Sequence, residues 1–304
     1  MKNIINLLFL ILLLSCSTKN SSDERKELLI NRFENAYQSG KWEQALRYID
    51  SLRTLKVNLN ILPIEAECYV GLGQHEKAIS LLENEIKLDT MKNIYYIHNA
   101  LGNIYSYKSD YNKAIEHYKK SIQIQPAYAR SYINVGEIYN HLNEKDSCVH
   151  YYLSAIELFS ENSFFNEVID LSQRVISIDS LNIDGYKFLQ YGYRSKAQYK
   201  NAVLVGLRLD KILTSKEEQN EKFLNRLFTG LSAYKCGDYQ LSYELIYSSI
   251  QREEVMRNYG WFAFCYLSAA QNKLGDEKLA KQYADYAMQM DSVKTTKFIK
   301  ELLE

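Results

Sequence analysis

Residues 95–128 read YYIHNALGNIYSYKSDYNKAIEHYKKSIQIQPAY, and this stretch decides the fold. Small and apolar side chains recur at helical spacing on both sides of Ser109, which predicts two antiparallel helices joined by a short turn. In a 34-residue frame, Leu101, Gly102, Tyr105, Tyr111, Ala114, Tyr118, Ser121 and Pro126 fall at positions 7, 8, 11, 17, 20, 24, 27 and 32. The next 34 residues, 129–162, put Val135, Gly136, Tyr139, Cys148, Tyr152 and Ala155 in matching slots. Recurrence at this period marks an array of helix pairs.

Positions 8 and 20 lie where the two helices of a pair approach most closely, so both call for small side chains. Position 20 reads Ala45, Ala78, Ala114, Cys148, Ala202, Ser242 and Ala280. The turn at position 15 reads Gly40, Gly73, Ser109, Asn143, Ala197, Gly237 and Gly275, mostly residues that tolerate the left-handed conformation ending a helix. Successive position-20 residues are 33, 36, 34, 54, 40 and 38 apart, so one interval carries about a helix too many. Phe165, Val168, Ile169, Ser172, Val175 and Ile176 have helical spacing there. Two readings follow: an unpaired helix at 163–182, or a further unit at 149–182 with Tyr152, Ile156 and Phe159 on its first helix. Either breaks the phase of the array.

The pattern resembles the tetratricopeptide repeat (TPR) over residues 26–294. The resemblance implies an all-α solenoid of about seven TPR-like helix pairs with an extra unpaired helix and a C-terminal capping helix at 295–304. Two arrays are expected, at 26–162 and 183–294, with a loose joint at 215–220. Phe33 and Gln190 depart from the family at position 8 and predict looser units; Pro63 falls inside a first helix.

The N terminus carries a separate signal. An apolar run from Ile4 to Leu14, broken only by Asn6, is too short to span a bilayer and reads as a signal-peptide core over residues 1–15. Leu13-Leu14-Ser15-Cys16 resembles the bacterial lipobox, which implies lipidation at Cys16 and a polar tether over 16–25. Ser17 after the cysteine implies delivery to the outer membrane, facing the periplasm. The other cysteines, Cys68, Cys148, Cys236 and Cys265, contain no CxxC spacing and read as packed, unpaired thiols.

Charge and composition exclude more than they assign. The chain has 304 residues, with 37 Lys and Arg against 37 Asp and Glu, so nothing in its balance points to nucleic acid. Gly and Pro number only 12 and 2, against a loop-rich fold. No HExxH, P-loop or GxSxG is present, and the five histidines do not cluster with cysteines at metal-ligand spacing. No catalytic constellation, metal or cofactor is expected, and the chain reads as a non-enzyme.

What remains is the surface that first helices present in TPR arrays, a concave groove lined by frame positions 2, 5, 6, 9, 12 and 13. The resemblance carries these positions onto Tyr96, Asn99, Asn103 and Tyr107, then Arg130, Asn134, Glu137, Asn140 and His141, and then Lys187, Tyr191 and Arg194. Amides and aromatics of this kind suit extended peptide backbone, and Asn103 and Tyr107 are expected to face solvent. Asn99, Asn103 and Asn134 partly resemble the carboxylate-clamp TPRs, but those carry Lys where Asn99 stands, and Phe164 replaces the cation of the next unit. The function implied is a lipid-anchored envelope scaffold binding partner proteins or peptides. An α/α protein that binds or processes envelope glycans is the alternative; a groove rich in acids and stacked aromatics would favour it.

Overall fold

The structure, a computed structural model, describes residues 21–55, 61–88, 94–213 and 219–303. Cys16, residues 1–20 and most of the expected 215–220 joint lie outside the described residues. Among those described there are sixteen helices and no strand. In chain order they are α1 (Ser21–Gln38), α2 (Trp42–Thr54), α3 (Leu62–Gly71), α4 (His75–Leu88), α5 (Tyr95–Tyr107), α6 (Tyr111–Ile124), α7 (Ala129–His141) and α8 (Lys145–Glu161). There follow α9 (Phe165–Ile178), α10 (Ile183–Ser195), α11 (Tyr199–Ile212), α12 (Gln219–Lys235), α13 (Tyr239–Ser249), α14 (Glu253–Leu274), α15 (Glu277–Met290) and α16 (Ser292–Leu303). Seven pairs, one additional helix and one terminal helix account for all of them.

The chain divides into two compact units, residues 1–138 and 139–304, and not within the 163–182 stretch. In the first, α1 packs on α2, α3 on α4 and α5 on α6, with α3 also touching α5. In the second, each helix from α8 to α15 packs on the next, and α16 closes the end against α14 and α15. Phe298 of α16 sits 5.0 Å from Phe262 and 5.6 Å from Tyr266, ring to ring, covering the last apolar cluster. Pro63 lies in the first turn of α3, where its missing N–H has no helical partner to lose, so it opens that helix instead of breaking it.

Eight turns among the described residues share one geometry. Gly40, Gly73, Ser109, Asn143, Ser163, Ala197, Gly237 and Gly275 all have φ between 55° and 89°. In each, the left-handed residue donates its N–H to the carbonyl three back and the next residue donates to the carbonyl five back. Ser109 N to Ser106 O at 3.0 Å and Asp110 N to Tyr105 O at 2.9 Å are an example. This double bond closes the helix end, and it is strong enough to hold four non-glycine residues in a conformation costing about 1–2 kcal/mol each. A second class of helix end, at Gln125, Asp179 and Asp291, is extended, with φ of −135°, −127° and −158°.

Those two classes settle the irregular interval. Ser163 belongs to the left-handed class, 20 residues after Asn143 and 34 before Ala197, whereas α9 ends in the extended class at Asp179. Within the second unit Tyr139 stacks on Tyr151 of α8 at 5.6 Å, and α8 packs on α9 as its first helix. It also reaches past α9 to α10, as α3 reaches α5 and α12 reaches α14. The helix at 163–182 is additional in number but not unpaired: α8 and α9 pack together, so 149–182 is itself a unit.

Close approach within a pair is met by complementary sizes at positions 8 and 24. A Cβ added to Gly102 would stand 2.4 Å from the Tyr118 ring, and one on Gly230 would stand 2.6 Å from Ile246. Two pairs invert this order. At 149–182 Ile156 faces the slot of Ser172, both fully buried, and at 183–216 Gln190 is matched by Gly206, whose added Cβ would lie 2.2 Å from the Gln190 amide nitrogen. Gln190 therefore does not loosen its unit: it is 4% exposed and fully engaged.

Candidate functional site

In the first unit the asparagines expected in the groove turn partly inward. Asn134 Nδ2 of α7 donates to Asn99 Oδ1 at 2.9 Å and Asn103 Oδ1 at 3.1 Å, both on α5. Tyr118 of α6 donates its hydroxyl to the same Asn103 oxygen at 2.8 Å. Behind them Ser131 Oγ lies 3.1 Å from Asn99 Oδ1 and 2.8 Å from Ser121 Oγ. Asn99 is 5% exposed, so it serves as a tie between successive repeats and not as a groove residue. Asn103 likewise does not simply face solvent, because its carbonyl is held from two sides. The physical reason is that buried amides in a low-dielectric contact must find partners.

The network leaves part of the face free. Among the described residues no protein group bonds the Asn103 amide nitrogen or the Asn134 side-chain carbonyl. Tyr107 is 69% exposed, its ring 5.2 Å from His75. Tyr96 and Arg130 are half-buried and Glu137 is exposed. Tyr95 joins Tyr96 and Tyr128 edge-on at 5.7 and 4.9 Å. Burial pushes the Tyr118 hydroxyl up, and the Glu137 charge adds to it.

Sequence reasoning missed Tyr37 and Glu67. The Tyr37 hydroxyl donates to the Glu67 carboxylate. Burial raises Glu67, while that hydrogen bond and the charge of Arg130 oppose the rise. These residues stand at positions 12 and 9 of the frames 26–59 and 59–92, so extending the groove positions to those units would have found them.

In the second unit Asn140 and His141 are exposed on the last turn of α7. Lys187 spans Asp184 at 3.1 Å and Glu221 at 3.3 Å, tying α10 to α12. Tyr191, 39% exposed, meets Phe165 edge-on at 5.7 Å. Beneath lies a buried amide set: Gln190 Nε2 donates to Thr229 Oγ1 at 2.8 Å and Asn225 Oδ1 at 3.2 Å, and Asn225 Nδ2 donates to the Gly206 carbonyl at 2.9 Å. The Arg194 guanidinium carbon lies over Phe228, 4.2 Å from the ring centre, and the residue borders a cavity of about 270 Å³ with Ser195, Tyr199, Leu231, Ser232, Lys235 and Tyr266. Burial pulls the Arg194 guanidinium down; only Tyr191 and Tyr199 oppose the shift.

Among the described residues no three His, Cys, Asp or Glu side chains are placed to hold a metal ion. Cys68, Cys148, Cys236 and Cys265 are free thiols, and burial pushes Cys68 up to about 12, which makes it a packing residue. No described helix is long and apolar enough to cross a membrane.

Fold and faces together define an all-α helix-hairpin repeat protein with ligand-sized polar surfaces on its first helices. Residues 102–142 match the family described as TPR repeat, and residues 129–162 match the family described as tetratricopeptide repeat. Residues 102–162 are tetratricopeptide repeats, and the helix hairpins on either side share their turn geometry. No curated protein is matched by the sequence. Among solved structures, the Cut9–Hcn1 hetero-tetramer of the APC/C is similar at 12% identity and a TM-score of 0.41, over 94% of this chain and 57% of that one. YrrB, a TPR protein with an unusual peptide-binding site, is similar at 13% identity and a TM-score of 0.41, over 69% of this chain and 92% of that one. The nearly identical TPR-like repeats from Podosopora anserina give 14% identity and a TM-score of 0.42, over 67% of this chain and 98% of that one.

Proposed function

We propose that this chain is a lipid-anchored adaptor of a bacterial envelope, held at the outer membrane through Cys16 and facing the periplasm, that captures extended segments of partner proteins on its first-helix faces. The observation that carries the binding reading is the Asn103 and Asn134 pair. Its inward hydrogen bonds fix two amides in place and leave the Asn103 N–H donors and the Asn134 carbonyl acceptor without a partner among the described residues, the two kinds of group that a peptide unit pairs with. Tyr107 supplies exposed aromatic area beside them. Preorganised groups of this kind bind without a further ordering cost. The anchoring reading rests on the lipobox-like Leu13-Leu14-Ser15-Cys16 and the polar residues after it. Two acyl signals make such an anchor stable where one is marginal.

Two measurements test the reading. A photo-crosslinking residue at Tyr107 should trap partner proteins, while one at Leu204, equally exposed on a second helix, should not; equal trapping at both would refute the first-helix face. Cys16→Ala should shift the protein from membrane to soluble fractions and remove acyl label. Membrane association unchanged by that substitution would refute the anchor.

A further inference from the structure

The methionines of the chain are not scattered. Of five, the three within the described residues, Met256, Met288 and Met290, all lie where the start of α14, the end of α15 and the start of α16 meet, and residues 94–213 hold none. Two of them close on a buried glycine. A Cβ added to Gly260 of α14 would stand 2.7 Å from the Met290 methyl and 3.1 Å from the sulfurs of both Met290 and Met256, so the thioethers lie directly on bare backbone. Met290 is nevertheless 45% exposed, which lets a small solute reach the side chain that fills the contact.

This contact adjoins the junction that sets the terminal helix. Met290 ends α15, Asp291 follows in extended conformation with φ −158°, and α16 begins at Ser292. Asp291 Oδ1 accepts the Lys294 N–H at 3.0 Å, and the buried Thr295 donates its hydroxyl to the Ala287 carbonyl at 3.0 Å. Held this way, α16 lays Phe298 on Trp261, Phe262 and Tyr266.

Oxidation by a peroxide alters the contact in a defined way. The Met290 sulfur lone pair attacks one oxygen of hydrogen peroxide, an S–O bond forms as the O–O bond breaks, and the departing hydroxide takes the proton of the transferred oxygen and leaves as water. The sulfur is oxidised by two electrons and the peroxide is reduced. The added oxygen has no room against Gly260 and Met256, and the N–H groups of a helix interior are already bonded. A polar sulfoxide therefore turns out to solvent, and the end of α15 loses its seat on α14. The nearby thiol competes poorly. Cys265, bonded to Thr295, is fully buried, and burial pushes it up to about 11, so little reactive thiolate forms, whereas a thioether needs no deprotonation.

We propose that Met290 is an oxidation site that latches the terminal helix: as a thioether it seats α16, as a sulfoxide it releases α16 and uncovers the aromatic surface of Trp261, Phe262 and Tyr266, and reduction of the sulfoxide resets it.

Treatment of the full chain with hydrogen peroxide, quenched by catalase, tests this, with peptide mass spectrometry to locate the added oxygen and hydrogen exchange to follow α16. Met290 should become the sulfoxide, and the amides of residues 292–303 should then exchange roughly tenfold faster or more while those of α5 and α6 keep their rates. Methionine sulfoxide reductase should restore both sulfur and protection. Met290→Leu conserves volume, so its α16 should start as protected as wild type and stay so through peroxide; Met288→Leu should still lose protection. Met290 left unoxidised while Met288 is converted would overturn the proposal, and so would a Met290 sulfoxide with α16 unchanged. Loss of protection in peroxide-treated Met290→Leu equal to that of wild type would place the cause at another residue, and loss that persists after the reductase would mark damage in place of a switch; either overturns it. Should Met290→Leu by itself loosen α16, a peroxide titration of wild type decides: release must track the Met290 sulfoxide, and release that tracks the Met288 or Cys265 product overturns the assignment.

Discussion

In the hairpin at 95–128 the first helix brings Gly102 to the closest approach and the second brings Tyr118; in the hairpin at 183–216 the first brings Gln190 and the second brings Gly206. Both put one glycine and one bulky side chain at positions 8 and 24, in opposite order. The consequences differ in chemistry. Tyr118 is a ring with a polar tip, so its body fills the gap and its hydroxyl reaches Asn103 toward the first-helix face. Gln190 is polar along its end, so it needs partners within the contact and finds them in Asn225 and Thr229 of the following repeat. The lesson is that close packing in this array constrains a sum of volumes across two positions and not the residue at either one.

The largest expected effect lies in the first of these hairpins. Tyr118→Ala removes a side chain that is 3% exposed and should lower stability by roughly 3–5 kcal/mol in chemical denaturation. Gly102→Ala should cost about 1–3 kcal/mol by overpacking against that ring. In the double variant the two costs should fall short of additivity by about 1 kcal/mol or more, since the added methyl then enters the space the ring left. Strict additivity would show that the two positions do not share one volume.

The inverted hairpin gives the next test. Gly206→Ala should destabilise by about 1–3 kcal/mol despite alanine's better helix propensity, because the new Cβ would lie 2.0 Å from Thr229 Oγ1. A neutral or stabilising result would mean that the amide set rearranges freely, and the inversion would not be a packing requirement. Gln190→Ala should cost somewhat less, about 1–2 kcal/mol, chiefly by leaving buried Asn225 and Thr229 short of a donor. Its replacement by Leu should be no milder, since Leu restores volume without hydrogen bonds; a Leu variant as stable as wild type would make the network dispensable.

The smallest effect separates the hairpins by pH. His98 and His117 join α5 to α6 through Nδ1 atoms 3.1 Å apart, whereas the same frame positions at 183–216 hold Tyr186 and Val205. Burial, then the proximity of His98, pulls His117 from 6.5 down to about 4, against Glu116, which pushes it up. Because the unfolded chain takes up the proton first, this contribution is complete above about pH 6.5 and is lost as pH falls from there toward 4. Hydrogen exchange corrected for its intrinsic pH dependence should show α5 and α6 losing protection between pH 7.5 and 5 while α10 and α11 hold theirs. Equal losses in both hairpins would remove the histidine pair as the cause.

The sequence by itself determined the repeat. Small residues at position 20, turn residues at position 15 and a 34-residue period are local requirements of a helix hairpin, and seven of the eight left-handed turns are legible at that level. Tertiary structure decided the rest. Ser163 as the eighth turn, and the packing of α9 between α8 and α10, depend on which helices meet, and periodicity records only that a segment is helical. The fate of the groove residues was decided there too. Asn99, Asn103 and Arg194 occupy the same kind of frame position, but one is buried in an amide network, one is shared between network and surface, and one is stacked on Phe228 at a cavity edge. A side chain's exposure depends on neighbours 35 or more residues away, as Asn134 is from Asn99 and Thr229 from Gln190, and no local pattern carries that information.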